Sequence, residues 1–199
     1  MPSNDELLRR KLLLAAFQLP SVQTMVSRTS SITNAFVNSI IPSFQPSPEE
    51  IEEVLAIFEM EPTDVRCAYC GDKSSEWDHL RPLVLNKRPT GYISEIANLV
   101  PACGKCNQSK GNKDWRAWMR SAARLSPTGR QLQQIEQRIE RLARFELWRT
   151  PTVIDFATML GPEEWQRYWA LYDELLGELR KCQDFADGLR AKVGASVRR

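Results

Sequence analysis

A chain of 199 residues with 42% hydrophobic and 26% charged residues is long enough for one large domain or two small ones, and apolar enough to bury a core. That composition argues against disorder, and no apolar run approaches the roughly 20 residues that span a bilayer. With 27 basic and 25 acidic residues the net charge is only +2, so bulk charge announces no polyanionic partner.

The charge is nevertheless uneven. Residues 61–120 carry 10 basic against 7 acidic groups and residues 121–150 carry 6 against 3, so a polyanion would be drawn to the middle of the chain. Arg9-Arg10-Lys11 before Leu12–Phe17 has the outline of a secretory leader, but Gln18 cuts the apolar run short and no Ala-x-Ala site follows. A reducing cytoplasm is the expected compartment, and there paired cysteines favour metal over disulfides.

Apolar residues at helical spacing (Leu8, Leu12, Ala15, Ala16, Leu19) predict a helix over 5–19. Residues 20–47, rich in Ser, Thr, Asn and Pro, read as a loop. Ser47-Pro48-Glu49-Glu50 opens a capped helix bearing Ile51, Val54, Leu55 and Phe58, and Pro62 ends it. Residues 64–113 lose helical periodicity and concentrate cysteine, glycine and proline. Asp114 caps a helix to about Leu125, with Trp115 and Trp118 as core anchors. Ser126-Pro127 starts a further helix with Leu132, Ile135, Ile139, Leu142 and Phe145 as its seam, broken at Pro151. A last helix from Pro162 to about residue 192 turns Trp165, Trp169, Tyr172, Leu176, Leu179 and Phe185 inward, with Cys182 as a buried thiol. At 1.5 Å per residue it is roughly 45 Å long, which suits packing on a partner chain.

Four of the five cysteines form two Cys-x-x-Cys pairs, Cys67/Cys70 and Cys103/Cys106, separated by 32 residues. Each pair sets two thiolates on one tight turn, and two such turns close a tetrahedral Zn²⁺ site with no open position. Such a site is structural. The long spacer means that something is inserted between its halves.

That insert contains Asp78-His79-Leu80-Arg81-Pro82 and Asn98-Leu99, and Asn107 and Lys110 follow the last cysteine. The ordered set resembles the HNH, or ββα-metal, endonucleases of the zinc-stapled type, across Cys67–Lys110. The resemblance implies an α+β fold: a small ββα-metal core with a four-cysteine zinc knuckle at 63–125, embedded in mainly helical regions at 1–62 and 126–199. It also implies a DNA endonuclease that leaves 5′-phosphate and 3′-hydroxyl ends. In that reading His79, the chain's one histidine, is the general base, a role suited to a group titrating near neutrality. Asp78 and Asn107 hold a catalytic Mg²⁺ or Mn²⁺, Asn98 braces the His79 loop, and Lys110 contacts a phosphate or the developing charge. Asn107 stands where other members carry histidine.

Arg81, Lys87, Arg88, Lys105, Lys113 and Arg116 are the candidate DNA contacts, with residues 86–91 as a loop toward a groove. The expected activity is restriction-type double-strand cleavage by a homodimer joined through the C-terminal helices. The alternatives are a low-specificity or nicking subunit of a larger defence or DNA-processing assembly, and a non-catalytic zinc-stapled DNA-binding module. No membrane association is expected.

Overall fold

The computed structural model describes residues 4–197, which fall into two compact units. One comprises residues 30–174; the other joins residues 4–29 to residues 175–197. In chain order the elements are α1 (Asn4–Ala16), α2 (Thr29–Ser39), α3 (Pro48–Ile57), β1 (Glu76–His79), β2 (Val84–Leu85), β3 (Arg88–Pro89), β4 (Leu99–Ala102), α4 (Gly104–Lys110), α5 (Trp115–Met119), α6 (Ile135–Trp148), α7 (Phe156–Leu160) and α8 (Pro162–Val197).

The unit of residues 30–174 is built on one antiparallel pair, β1 with β4, in the register Glu76↔Ala102, Trp77↔Pro101, Asp78↔Val100 and His79↔Leu99. Side chains alternate across it, so Asp78 is buried while Trp77 is exposed. α4 follows β4 with only Cys103 between, completing a strand–strand–helix unit. β2 and β3 form a hairpin whose two turn residues, Asn86 and Lys87, both have positive φ (50° and 62°), as a type I′ turn requires. The projecting loop expected at 86–91 is therefore in part a paired ribbon.

The core gathers around this frame. Val54 of α3, Phe58 at its C-terminal cap, Tyr69, Leu80, Val100, Trp118 and the α6 residues Ile139, Leu142 and Phe145 belong to one buried cluster that includes all four paired cysteines. Phe58 and Phe145 meet at 5.6 Å and Tyr69 meets Trp118 edge-on at 5.3 Å. α3 begins as expected. Ser47 Oγ accepts from the Glu50 N–H at 3.2 Å, and Glu50 Oε2 accepts from the Ser47 N–H at 3.0 Å.

Three local expectations need correction. Residues 20–47 are not a continuous loop, because α2 lies within them. Its polar composition hid a buried stripe of Thr33 and Val37, and Phe36 packs against the rings of Tyr168 and Tyr172 on α8. Residues 126–134 are turns rather than helix. Ser126 Oγ accepts the Gly129 N–H at 3.0 Å, and Gln131 and Gln134 take positive φ, so α6 starts only at Ile135. The helix capped by Asp114 is also shorter than expected, ending at Met119.

In the other unit α1 buries no residue, and the end of α8 exposes Phe185 and Leu189. Cys182 is exposed rather than buried, and Phe185 points outward; the buried position on this stretch is Gln183, whose Oε1 accepts the Met25 N–H at 2.7 Å. The inward stripe predicted for α8 holds at Trp169, Tyr172 and Leu176, and stops there among the described residues.

Candidate active site

The two knuckles come together. The Sγ atoms of Cys67, Cys70, Cys103 and Cys106 all lie within 4.8 Å of one another, and Cys70 and Cys103 are 3.6 Å apart. Zinc–sulfur bonds of about 2.3 Å in a tetrahedron give an edge of about 3.8 Å, so four thiols gathered this closely suit Zn²⁺. Hydrogen bonds from Cys106 and Cys70 hold the Cys67 thiol down at about 4, while the same crowding drives Cys106 far up. Four thiols this close cannot all ionise without a cation between them.

Two arginines beyond the cysteine segment bear on the cluster. Arg130 Nη1 lies 3.9 Å from Cys106 Sγ while its Nη2 pairs with Asp72 at 3.0 Å. The Arg138 guanidinium packs over Gly71, where a Cβ would lie 2.5 Å from Nη2; the turn, at φ +81°, is what calls for glycine there.

The knuckle is wired to the strand pair through Tyr69, which sits between Cys67 and Cys70. Its hydroxyl donates to Asp78 Oδ2 at 2.6 Å, and burial and the Asp78 carboxylate hold its pKa well above the ordinary phenol value, so it is a donor only. Lys110 Nζ lies 3.2 Å from the same Oδ2 and donates to the carbonyls of His79 (2.9 Å) and Gly111 (3.1 Å). Both Asp78 interactions fall on Oδ2, leaving Oδ1 without a hydrogen bond among the described residues. Burial raises the Asp78 carboxyl against the pull of Lys110 and Tyr69, and burial lowers Lys110 against the pull of Asp78. Desolvation thus outweighs mutual attraction on both sides of the pair.

His79 Nε2 is 2.8 Å from Ser94 Oγ. Burial and the Lys110 ammonium push the imidazole pKa down to about 4, so the ring is neutral at neutral pH. Asn98 is fully buried; its Oδ1 accepts the Arg81 N–H at 2.9 Å and its Nδ2 donates to the Arg81 carbonyl at 3.0 Å. The Asn98 carbonyl also accepts the Leu80 N–H at 2.8 Å, so the chain just after His79 is clamped by one residue.

Asp78, His79 and Asn107 line one cavity of about 270 Å³, together with Asn34, Asn38, Gln108 and Asn112. The carboxylate of Asp78 and the carboxamide of Asn107 offer hard oxygen donors of the kind Mg²⁺ and Mn²⁺ take, beside the His79 imidazole. Asn98 and Lys110 stand behind this cavity rather than on it. The sequence reading puts Lys110 at a phosphate, but its ammonium is fully buried and its protons are directed at Asp78 and two carbonyls.

None of the six predicted DNA-contact residues lines the cavity. Arg81 is largely buried, 3.5 Å from Glu146 Oε1 and stacked near Tyr92, and Arg116 pairs with Glu146 Oε2 at 3.1 Å. Arg88 lies over the Trp169 ring at 3.9 Å. Lys113 caps the end of α4 on the Ser109 carbonyl at 2.7 Å. Lys87 and Lys105 are exposed, with no side-chain partner among the described residues.

Sequence reasoning missed Tyr69, Ser94, Asn34 and Asn38. Tyr69 carried a faint signal, since a residue inside a metal-closed turn has a fixed position; the others carried none.

Residues 67–113 match the model of the HNH endonuclease family, so this segment is an HNH endonuclease domain, and the four clustered cysteines fit its zinc-stapled type. Over 62 residues the chain is 37% identical to the CRISPR-associated endonuclease Cas9 of Corynebacterium diphtheriae, a stretch covering 29% of this chain and 5% of that protein. The match therefore spans a small part of its relative's length. No solved structure matches the chain. No described helix is long and apolar enough to cross a membrane.

Proposed function

We propose that this chain is a DNA endonuclease that hydrolyses phosphodiester bonds with His79 as general base and one divalent cation held by Asp78 and Asn107. The supporting observation is that these three side chains face one cavity on a strand–strand–helix unit closed by four cysteines. In the tautomer whose Nε2–H donates to Ser94 Oγ, the His79 lone pair on Nδ1 is left to accept the proton of an attacking water. The low pKa of the ring keeps that lone pair available across the neutral range. A Mg²⁺ or Mn²⁺ ion at Asp78 and Asn107 would supply Lewis-acid stabilisation of charge on the phosphorane. A Zn²⁺ ion held by the four cysteines would tie the β1–β4 pair to α4 and supply no chemistry at the cavity. Asn98 and Lys110 are positioning residues: one fixes the backbone after His79, the other fixes Asp78 and the His79 carbonyl. Lys87 and Lys105 are the candidate DNA contacts left exposed and unpaired.

Two settings for this activity compete. Restriction-type cleavage of both strands by a homodimer draws support from α8, whose Leu171, Leu175, Phe185 and Leu189 are exposed. Action as the nuclease part of a larger defence assembly draws support from the likeness to Cas9, in which the matching stretch is a small fraction of the protein. Plasmid DNA incubated with the chain and Mg²⁺ or Mn²⁺ tests the proposal. Linear fragments favour the first setting and nicked circles the second, and His79→Ala should abolish either product while leaving the melting curve intact. If no metal supports cleavage, or His79→Ala still turns over, the assignment fails.

A further inference from the structure

α2 lies outside the segment that matches the HNH family, yet it contributes one wall of the cavity through Asn34 and Asn38. The two are four residues apart, so their carboxamides share a helix face about one turn apart. The helix is held firmly. Val37 is fully buried, Thr33 Oγ1 and Tyr172 OH are 2.7 Å apart, and Tyr168 OH donates to the Phe36 carbonyl at 2.7 Å. Asn34 and Asn38 themselves are exposed, and neither carboxamide has a hydrogen-bond partner among the described residues. With Asn107, Gln108 and Asn112 they give the cavity five carboxamides, and among the described residues no lysine or arginine lines it.

A neutral wall in the cavity that Asp78 also lines has a physical sense. A lysine or arginine there would compete with a divalent cation for the carboxylate, whereas a carboxamide N–H can bond an anionic oxygen without bringing a charge. We propose that Asn34 and Asn38 are substrate-contacting residues whose amide N–H groups bind the non-bridging phosphate oxygens of the nucleic-acid strand lying against His79 and Asp78. This inference rests on the nuclease reading above and adds to it a phosphate-binding wall from outside the family segment.

The test measures DNA-duplex affinity by fluorescence anisotropy with Mn²⁺ present, in the full chain carrying His79→Ala, and cleavage in the chain with His79 intact. Each background carries Asn34→Ala, Asn38→Ala, both together, or Asn38→Asp. Alanine is the better helix former, so α2 should keep its stability, and a melting curve checks this. Each alanine change should weaken binding about tenfold, as loss of a hydrogen bond to a charged group does, and equally for duplexes of unrelated sequence. Asn38→Asp should weaken binding further, with no gain in Mn²⁺ affinity.

A double alanine variant that binds and cuts within about twofold of its parent would overturn the inference. So would a loss confined to one base sequence, which would mean base reading, or tighter Mn²⁺ binding by Asn38→Asp, which would mean metal ligation. A parent chain that cuts no DNA sinks the nuclease reading and this inference with it; a parent that cuts while the double variant is undiminished sinks this inference alone.

Discussion

Replacing Lys110 by methionine keeps most of the side-chain volume and removes the ammonium. Three groups then lose a partner: the Asp78 carboxylate at 3.2 Å, which keeps the Tyr69 hydroxyl, the His79 carbonyl at 2.9 Å and the Gly111 carbonyl at 3.1 Å. Lys110 is completely buried and Asp78 nearly so, so the ammonium is lost from behind the cavity wall that Asp78 and Gly111 form. Breaking one side of a buried ion pair costs about 3–5 kcal/mol. In a chain of this size that lowers Tm by roughly 10 °C. The pair itself is no large source of stability, since burial pushes both groups toward their neutral forms. Adding Asp78→Asn to Lys110→Met should therefore recover about 2 kcal/mol, because the stranded charge disappears. Urea unfolding of the four proteins of this cycle, with zinc retained and Mg²⁺ absent, gives the coupling energy. A Lys110→Met chain within about 1 kcal/mol of the parent, or a double variant whose losses simply add, would refute the account of a cation that holds the site from behind.

Cys103→Ser should abolish stoichiometric zinc in elemental analysis and the cooperative melt of residues 30–174 with it, because structural zinc contributes about 10 kcal/mol or more, comparable to the whole stability of a domain. Asn98→Ala leaves both backbone groups of Arg81 unpaired in the interior and should cost about 2–4 kcal/mol in urea unfolding, with kcat falling as the chain after His79 loosens. The Ser47 backbone N–H and then Arg149 hold the Glu50 carboxyl below its ordinary 4.5, so its contribution is present above that pH and lost as pH falls through the folded value. Glu50→Gln should accordingly melt below the parent at pH 7, and the gap should close under strong acid; a gap that widened on acidification would reverse the sign of the argument.

The site was legible because its chemistry is written in spacing. Two Cys-x-x-Cys turns, an Asp-His pair between them and an asparagine just after the last cysteine need no tertiary information to be read as one constellation, and the structure brings Asp78, His79 and Asn107 to one cavity. What spacing does not carry is direction. The Lys110 chain turned inward because a buried Asp78 on β1 offered it a counter-charge, and Arg81 and Arg116 turned to Glu146 on α6, some 30 or more residues further along. α2 was illegible for a related reason. A run of Ser, Thr and Asn has the composition of a loop, and it is helical here because the aromatic face of α8 receives Thr33 and Phe36. The early end of α5 and the late start of α6 turned on the Ser126 hydroxyl and on two glutamines in left-handed conformations, which no periodicity announces.

The cysteine-bearing segment does not own its interior. Leu80 and Val100 rest on Val54 and Phe58, which come before it, and on Trp118, Leu142 and Phe145, which come after. Anyone excising residues 67–113 to transplant the site would carry away a slab stripped of the apolar residues that cover it, prone to clump before it could bind metal. The smallest portable unit must run from α2, which walls the cavity, to the part of α8 that holds α2, and changes along α3 or α6 can disturb the cavity without touching a residue that lines it.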